Sequence, residues 1–304
     1  MTGPPSTLAL DPALLARIAD LELAARLIVE GARLGAHRSP FTGSGAEFQQ
    51  MRPYLPGDDL KHLDWKHYAR TDRLFTRVYR ETTEWPVMLA VDASRSMALS
   101  STPGVSKLRV AAVLAAALAY LLVQQGESVG LIAHGDEPRL QLPPRTGRPH
   151  LVRVLGQLDR LEPSGGTALA RGIRTAATRL GRRGIVAVIS DLFADDDATT
   201  AAVREVRRMG HEVVLFHVLT PEERVLPDDG DVSFEDLETG ERVVTSVPAI
   251  RAAYVARLGR FLGWWRSFAA GEGITFVDAH TDAPLDAVLR AFSQQRAALA
   301  GGSR

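Results

Sequence analysis

Short apolar runs alternate with longer helical patterns through the C-terminal two thirds of the chain, and this alternation constrains the fold more than any other feature. The runs at 87–91 and 185–189 are apolar at every position, which is typical of strands buried on both faces of a sheet. Between them, residues 108–123 have the length and composition of a buried helix. Such alternation predicts a mainly parallel sheet covered by helices on both faces.

The same pattern continues to residue 298 and predicts a doubly wound α/β fold. Runs at 129–133 and 139–142, joined across Gly135 and Asp136, indicate a hairpin and therefore one antiparallel strand at the sheet edge. Further strands are expected at 212–219 and 275–277, and further helices at 149–161, 169–180, 198–209, 254–268 and 285–298. An acidic segment at 221–248 interrupts the pattern as an insertion.

The N-terminal third has a different character. Apolar residues at helical spacing, a start signal at Asp11 and Pro12 and glycines at 31 and 35 predict an amphipathic helix within residues 1–36. Residues 37–84 are polar, punctuated by Gly and Pro, and dense in Arg, Asp and aromatic residues, which indicates an irregular segment with short strands. We therefore expect three parts: the helix in 1–36, this segment in 37–84 and the α/β domain in 85–298.

Composition narrows the function classes. Lys and Arg number 36 and Asp and Glu number 36, so the balanced net charge offers no general attraction to a polyanion. A basic stripe (Lys66, Arg70, Arg73, Arg77, Arg80) is interrupted by strand-period alternation at 74–79, and we expect no nucleic-acid partner. The chain has no cysteine, which excludes disulfides, thiolate metal sites and cysteine nucleophiles.

The chain carries no clear targeting signal. Residues 1–10 lack a basic stretch followed by an apolar core, so a secretory signal is not expected. The longest apolar stretch, 110–123, is shorter than the roughly 18 residues that span a bilayer. We expect a cytoplasmic protein with no membrane span.

Three polar loops follow predicted strands or precede a predicted helix. Asp92, Ser94 and Ser96 form a D-x-S-x-S pattern directly after the strand at 87–91. Thr167 follows two glycines at a helix start, and Ser190-Asp191 comes directly after the run at 185–189. Because open α/β sheets bind ligands at the carboxyl ends of their strands, these side chains are expected to meet at one site.

Their donor atoms are all oxygens, which select a hard cation, Mg²⁺ first and Ca²⁺ or Mn²⁺ next. We assign Ser94 and Ser96 as direct ligands and Thr167 as a direct ligand in at least one state. Asp92 and Asp191 are expected to act mainly through water. A cation with such a neutral set of direct ligands would keep an open position for the carboxylate of a partner protein.

The five residues resemble the metal-ion-dependent adhesion site of von Willebrand factor A domains, whose pattern is D-x-S-x-S, then Thr, then Asp. The upstream motifs resemble those of the bacterial "domain of unknown function 58" family, in which such a segment precedes a von Willebrand factor A-like fold. They are Phe41-Thr-Gly-Ser-Gly-Ala-Glu47-Phe48, Arg52-Pro-Tyr54-Leu-Pro56-Gly57-Asp58-Asp59, Leu63-Asp64-Trp65 and Ala69-Arg70. The resemblance implies a non-enzymatic adaptor or chaperone-like assembly factor that works with a MoxR-type AAA+ ATPase.

Other interpretations stay open at this point. The cation could be structural only, or Asp92 with the two serines could belong to a metal-dependent hydrolase, although no G-x-S-x-G motif is present. Thr167 could be a helix N-cap and Asp191 a turn residue. In the upstream segment, Arg52, Asp58, Asp59 and Asp64 are expected to form ion pairs around a buried Trp65 indole.

Overall fold

The computed structural model describes residues 20–33, 46–55, 63–81, 85–101, 104–181, 183–194, 196–226, 229–237 and 239–301. The chain divides into two compact units, one formed by Met1–Pro40 with Pro86–Arg304 and the other by Phe41–Trp85. The start of the predicted N-terminal helix, residues 41–45 of the motif that begins at Phe41, and the carboxylates of Asp58 and Asp59 lie outside the described residues.

The described helices and strands follow each other in the expected alternation. The strands are β1 (Ala46–Pro53), β2 (Phe75–Glu81), β3 (Val87–Asp92), β4 (Ser100–Ser101), β5 (Val105–Ser106), β6 (Val129–His134), β7 (Pro138–Arg145), β8 (Ile185–Ser190), β9 (Glu212–His217), β10 (Asp231–Glu235), β11 (Arg242–Ser246) and β12 (Thr275–Asp278). The helices are α1 (Leu21–Arg33), α2 (Trp65–Thr71), α3 (Lys107–Gln124), α4 (Arg148–Asp159), α5 (Leu169–Leu180), α6 (Asp196–Arg208), α7 (Pro221–Val225), α8 (Val247–Glu272) and α9 (Leu285–Gly301). A short 3₁₀ helix spans Arg95–Ala98.

The smaller unit contains an antiparallel pair, β1 with β2, and the helix α2. The side chain of Asp64 caps α2 by accepting the backbone N–H of His67 at 3.0 Å. The expectation of a buried Trp65 indole is wrong, because Trp65 is 61% exposed while Asp64 beside it is buried. The indole stands on the outer surface of the helix start, where its ring meets Tyr68 edge-on.

A six-stranded sheet forms the centre of the larger unit, in the order β12-β9-β8-β3-β6-β7. Its neighbours are parallel except for β6 and β7, which form the predicted antiparallel hairpin at the edge. After β3 the chain adds β6 on one side of β3, and it later returns to add β8 on the opposite side of β3. The predicted fold class, a doubly wound and mainly parallel α/β sheet with one antiparallel edge strand, is confirmed.

Helices bury both faces of this sheet. On one face, Met88 and Ala90 of β3 pack in a cluster with residues of α5, α6 and α8, including the fully buried Trp265. On the other face lies α3, which contacts β3, α1 and α4. The strands β3, β6 and β8 are buried at every residue, which explains why they are continuous apolar runs in the sequence.

Helix α3 is long and apolar enough to cross a membrane, and it is the only helix of that kind in the described part of the chain. Most of its residues are buried inside the protein, 78% of an 18-residue window. A helix buried on nearly all sides has no polar face. Its apolar sequence is therefore accounted for by its position in the core.

The insertion predicted at 221–248 is folded. It consists of α7 and the antiparallel hairpin of β10 and β11. The helix that follows is longer than the predicted 254–268, because α8 begins at Val247 with a proline in its first turn, where proline is well tolerated.

Candidate functional site

The carboxyl ends of β3 and β8 lie side by side at the point where the direction of strand addition reverses. Asp92 is the last residue of β3, and Ser190 is the last residue of β8. The connections leave in opposite directions from such a point, so a crevice forms above the sheet, and ligands of doubly wound folds bind there. The topology therefore supplies the location that the sequence motifs predict.

Asp92 is fully buried and organises this crevice through both of its carboxylate oxygens. Oδ1 accepts the backbone N–H of Ser94 at 2.9 Å, and Oδ2 accepts the hydroxyl of Ser190 at 2.7 Å. The first bond shapes the loop after β3, and the second joins that loop to β8. In the described part of the chain, no Lys or Arg side chain forms an ion pair with Asp92.

Ser94 and Ser96 stand at the beginning of the 3₁₀ helix that follows β3. Ser94 is its N-cap residue, but its side chain makes no capping hydrogen bond. The two hydroxyl oxygens lie 3.0 Å apart, so that one hydroxyl can donate to the other. Ser94 is buried, whereas Ser96 is partly exposed, which places the pair at the border between the core and solvent.

The second predicted loop lies against the first. The backbone N–H of Arg95 donates to the carbonyl of Gly165 at 3.0 Å, and the N–H of Ser164 donates to the carbonyl of Ala93 at 2.9 Å. Gly165 has a φ of +70°, which favours glycine at that position. These two bonds bring the loop that contains Thr167 beside the D-x-S-x-S loop.

Thr167 itself is partly exposed and precedes α5 by two residues. The interpretation of Thr167 as the helix N-cap is wrong, because Ala168 occupies that position and α5 has no side-chain cap. The helix start is instead tied down by the backbone, since the N–H of Ala168 donates to the carbonyl of Gly135 at 3.1 Å.

Asp191, the second predicted carboxylate, is fully buried and bound to an ammonium group. Its Oδ2 accepts the Nζ of Lys107 at 2.7 Å, and its Oδ1 accepts the backbone N–H of Phe193 at 3.1 Å. The ring of Phe193 covers the ammonium, with its centroid 5.7 Å from Nζ. We predict from the sequence that Asp191 binds the cation through water. In the structure its carboxylate is already paired with the ammonium of Lys107.

Lys107 is a residue of the site that the sequence interpretation missed. It is the first residue of α3 and only 1% exposed, although helix starts disfavour cations and buried lysines are rare. A second carboxylate, Glu223 of α7, accepts its Nζ at 2.7 Å. Burial alone would lower the pKa of Lys107, but the two carboxylates outweigh burial and raise the pKa above its ordinary value.

Glu223 is held rigidly in the insertion. Its other oxygen, Oε2, accepts the backbone N–H of Thr220 at 2.8 Å, while the Thr220 hydroxyl accepts the backbone N–H of Glu223 in a reciprocal capping box. The sequence signal for this arrangement is Thr-Pro-Glu-Glu at 220–223, at the start of the segment we interpreted only as an interruption. The insertion therefore contributes a side chain to the site.

Two buried histidines complete the surroundings. His217 lies at the end of β9, with Nε2 3.0 Å from the carbonyl oxygen of Asp191, and burial lowers its pKa to about 4 despite the carboxylates nearby. His134 pairs with Asp92 in the register of β6 and β3, and burial lowers its pKa as well. Neither ring nitrogen of His134 has a hydrogen-bond partner among the described residues.

The acidic, basic and histidine side chains described above include more carboxylates than cationic groups. The three carboxylates of Asp92, Asp191 and Glu223 stand against the one ammonium of Lys107, which pairs with Asp191 and Glu223 but not with Asp92, and the lowered pKa values keep His134 and His217 neutral at pH 7. The difference is two negative charges. Buried charge of this kind is costly unless it is paired.

A divalent cation fits this donor set. Two oxygens that bind Mg²⁺ side by side at 2.0–2.1 Å in an octahedron lie about 3.0 Å apart, and the Ser94 and Ser96 hydroxyls have that separation. Across the described residues, no group of three His, Asp or Glu side chains could hold a metal. A cation here would therefore depend on the serine hydroxyls, with Asp92 as the neighbouring unpaired charge.

Comparisons with known proteins place the chain among relatives along nearly its whole length. A family model described as "Protein of unknown function DUF58" matches residues 50–260. The uncharacterized protein Rv1480 of Mycobacterium tuberculosis is 30% identical over 299 residues, which cover 96% of this chain and 93% of that protein.

Two solved structures also align with the larger part of the chain. The conserved hypothetical protein BatB from Bacteroides thetaiotaomicron is 22% identical, with a TM-score of 0.46, and the alignment covers 71% of this chain and 98% of BatB. The VWA domain of SpRpn10 is 12% identical, with a TM-score of 0.41, covering 67% of this chain and 92% of that domain.

Proposed function

The chain belongs to the DUF58 family, and we propose that it is a protein-binding module whose site is completed by a divalent cation. The observation that carries the proposal is the pair of hydroxyls on Ser94 and Ser96, 3.0 Å apart, beside the buried carboxylate of Asp92, which forms no ion pair with any described residue. This arrangement offers few anionic ligands, which suits reversible capture better than a permanent structural cation.

Each residue has a distinct part in the proposed capture. Ser94 and Ser96 bind Mg²⁺ or Mn²⁺ directly, and Asp92 holds their loop in shape through the N–H of Ser94 while supplying negative charge. Thr167 is a third hydroxyl, on the adjacent loop, that engages in one conformational state. The bound cation supplies an electrophilic centre with an open position for a carboxylate of the partner protein.

The exposure of the loops supports a partner as the ligand. Ser96 and Thr167 are partly exposed, and Arg95 between the two serines is exposed. An acidic side chain of a partner can therefore approach the loops at Ser96 and Thr167 without unfolding them. The family resemblance suggests a MoxR-type AAA+ ATPase as the first partner to test, with the chain acting as an adaptor or assembly factor.

A capture experiment tests the proposal. The purified chain, immobilised, is offered a MoxR-type ATPase in Mg²⁺ and then in EDTA, and we expect binding only in Mg²⁺. The double variant Ser94→Ala with Ser96→Ala, or Asp92→Ala alone, should lose capture, and Thr167→Ala should weaken it. Ser100→Ala is the matched control, because that hydroxyl is exposed and bonds only to the carbonyl of Ala98.

The outcomes separate the alternatives. Capture that is indifferent to both EDTA and Asp92→Ala would overturn the proposed mechanism. If a folded chain captures the partner equally well in Mg²⁺ and in EDTA, the cation does not take part in capture, and any role it has is structural. Circular dichroism of each variant checks that the sheet is intact before its binding is interpreted.

A further inference from the structure

Lys107 holds a carboxylate that the proposed cation site would use. Its Nζ lies 2.7 Å from Oδ2 of Asp191, at the crevice where Asp92 and the two serines stand. Ammonium and a divalent cation are both attracted to this carboxylate, but they repel each other. When the ammonium is bound to Asp191, it therefore opposes the binding of a divalent cation there, and a bound divalent cation opposes the ammonium.

Glu223 provides a second position for the same ammonium. Its Oε1 also lies 2.7 Å from Nζ, and its Oε2 is fixed by the capping box with Thr220. A further bond steadies this element, because the hydroxyl of Tyr254 donates to the carbonyl of Glu223 at 2.6 Å. If Asp191 turned toward a cation, Lys107 would still have the carboxylate of Glu223 as its partner.

The start of α3 is itself attached to the loop of the site. The backbone N–H of Lys107 donates to the carbonyl of Leu99, just after the 3₁₀ helix that carries Ser96. The ammonium and the serine hydroxyls are thus parts of one connected loop structure.

We propose that Lys107 is a built-in competitor of the divalent cation, occupying Asp191 when no cation is bound and remaining on Glu223 when one is. This inference rests on the proposed function and deepens it: Lys107 and Glu223 determine the affinity and selectivity of the site without binding the cation themselves. A singly charged ion that the site binds weakly cannot displace the ammonium from Asp191. A divalent cation can, because the serine hydroxyls also bind it and the charge of Asp92 also attracts it.

The expected size of the effect follows from occupancy. A site that is competent in only a fraction of the molecules shows an affinity reduced by that fraction. If the ammonium holds Asp191 in about nine of ten cation-free molecules, removing it raises the affinity about tenfold.

The decisive variant removes the ammonium without changing the local charge. In Lys107→Met with Glu223→Gln, one positive and one negative charge disappear together, and glutamine preserves the capping box. Asp191 then has no ammonium partner and is free to face a cation, and it is the one carboxylate that the loss of Lys107 leaves unpaired. The single variant Lys107→Met would leave both Asp191 and Glu223 without their ammonium, so the double variant lowers the risk of a failure to fold.

Calorimetric titration with Mn²⁺ is the measurement, with the loss of the free Mn²⁺ electron paramagnetic resonance signal as an independent readout. We expect the double variant to bind Mn²⁺ at least about tenfold more tightly than the unaltered chain. Glu223→Gln alone should bind more weakly, because Lys107 then has only Asp191. Arg109→Met is the control for a general charge effect, since Arg109 lies on the same helix but pairs with Asp159.

The possible results distinguish this inference from the proposed function. Equal Mn²⁺ affinity of the double variant and the unaltered chain overturns the competition and leaves cation-dependent capture standing. Binding by the double variant alone supports the competition and overturns cation-dependent capture by the natural chain. Absence of Mn²⁺ binding in both overturns both proposals.

Discussion

The hydroxyl of Ser190 donates a 2.7 Å hydrogen bond to Oδ2 of Asp92 and so joins the ends of two adjacent parallel strands. The hydroxyl oxygen of Ser190 also accepts the backbone N–H of Leu192 at 3.0 Å. Leu192 has a φ of +58°, an unusual conformation for a residue with a branched side chain, and it directly follows Asp191. Ser190 therefore positions both carboxylates of the site although it is absent from the predicted set.

Replacing Ser190 by alanine should destabilise the chain. The change leaves a buried carboxylate oxygen of Asp92 and the N–H of Leu192 without a partner, at a cost of about 1 to 3 kcal/mol in the free energy of unfolding. Urea denaturation followed by circular dichroism measures the change. Ser100→Ala, which removes an exposed hydroxyl, should alter the same quantity by less than about 0.5 kcal/mol. Equal stability of the two variants would show that the Ser190 bond is not important.

The sequence predicted the sheet and the positions of the candidate residues well, for a physical reason. Strands buried on both faces must be apolar at every position, so β3 and β8 were visible as runs, and polar residues at their ends stood out. Asp92 and Asp191 were therefore located correctly at the strand ends, as the structure places them.

Lys107 and Glu223 could not be found by the same reasoning. Their charges meet across 116 residues of the chain, and a lysine at a helix start is ordinarily in solvent. Two features together could have suggested the pair: a lysine that opens a mainly apolar helix, and the Thr-Pro-Glu-Glu capping box at 220–223. The exposure of Trp65 was missed for a related reason, since nothing local decides whether an aromatic residue at a helix start faces the core.

Gly172 and Gly156 offer a paired test of packing next to the site. A Cβ at Gly172 of α5 would lie 2.5 Å from Cδ2 of the buried His134, so Gly172→Ala should destabilise the fold by about 1 to 3 kcal/mol. A Cβ at Gly156 of α4 meets nothing within 4 Å. Gly156→Ala should therefore stabilise the fold by up to about 1 kcal/mol, through helix propensity alone. Chemical denaturation measures both, and a stabilising Gly172→Ala would contradict this packing.

Cation preference is the third prediction. The site offers hydroxyl and carboxylate oxygens with few direct anionic ligands, so Mg²⁺ and Mn²⁺ should bind weakly, with dissociation constants on the order of micromolar to millimolar. Calorimetry of the purified chain against each cation measures this. Tight binding of Zn²⁺ together with no response to Mg²⁺ or Mn²⁺ would be incompatible with an oxygen site.

Removal of the cation should leave the fold intact. The sheet is buried on both faces by apolar side chains, so the cation contributes only its binding free energy, about 0.4 to 1.4 kcal/mol at one to ten times its dissociation constant. For a chain of this size that corresponds to a fall of about 0.6 to 2 °C in the melting temperature in EDTA. Scanning calorimetry measures it. Loss of cooperative unfolding in EDTA would instead make the cation a structural requirement.

Acidification should destabilise the chain through its buried histidines, and His211 allows this to be tested away from the site. His211 precedes β9, its Nδ1 is buried without a partner among the described residues, and burial lowers its pKa below the ordinary 6.5. The folded state then binds a proton less readily than the unfolded state. Its contribution to stability is complete above about pH 6.5 and is lost as the pH falls through the unfolded value toward the lowered folded one.

The variant His211→Leu replaces the imidazole with an apolar side chain of similar size and so removes this titration. We expect the unfolding free energy of the unaltered chain to decrease between pH 7 and pH 5, and that of His211→Leu to decrease less steeply, because the other buried histidines still contribute. Urea denaturation at half-unit pH intervals measures the two slopes. Identical slopes would mean that protonation of His211 costs the folded chain nothing, and that its ring nitrogen reaches water on acidification.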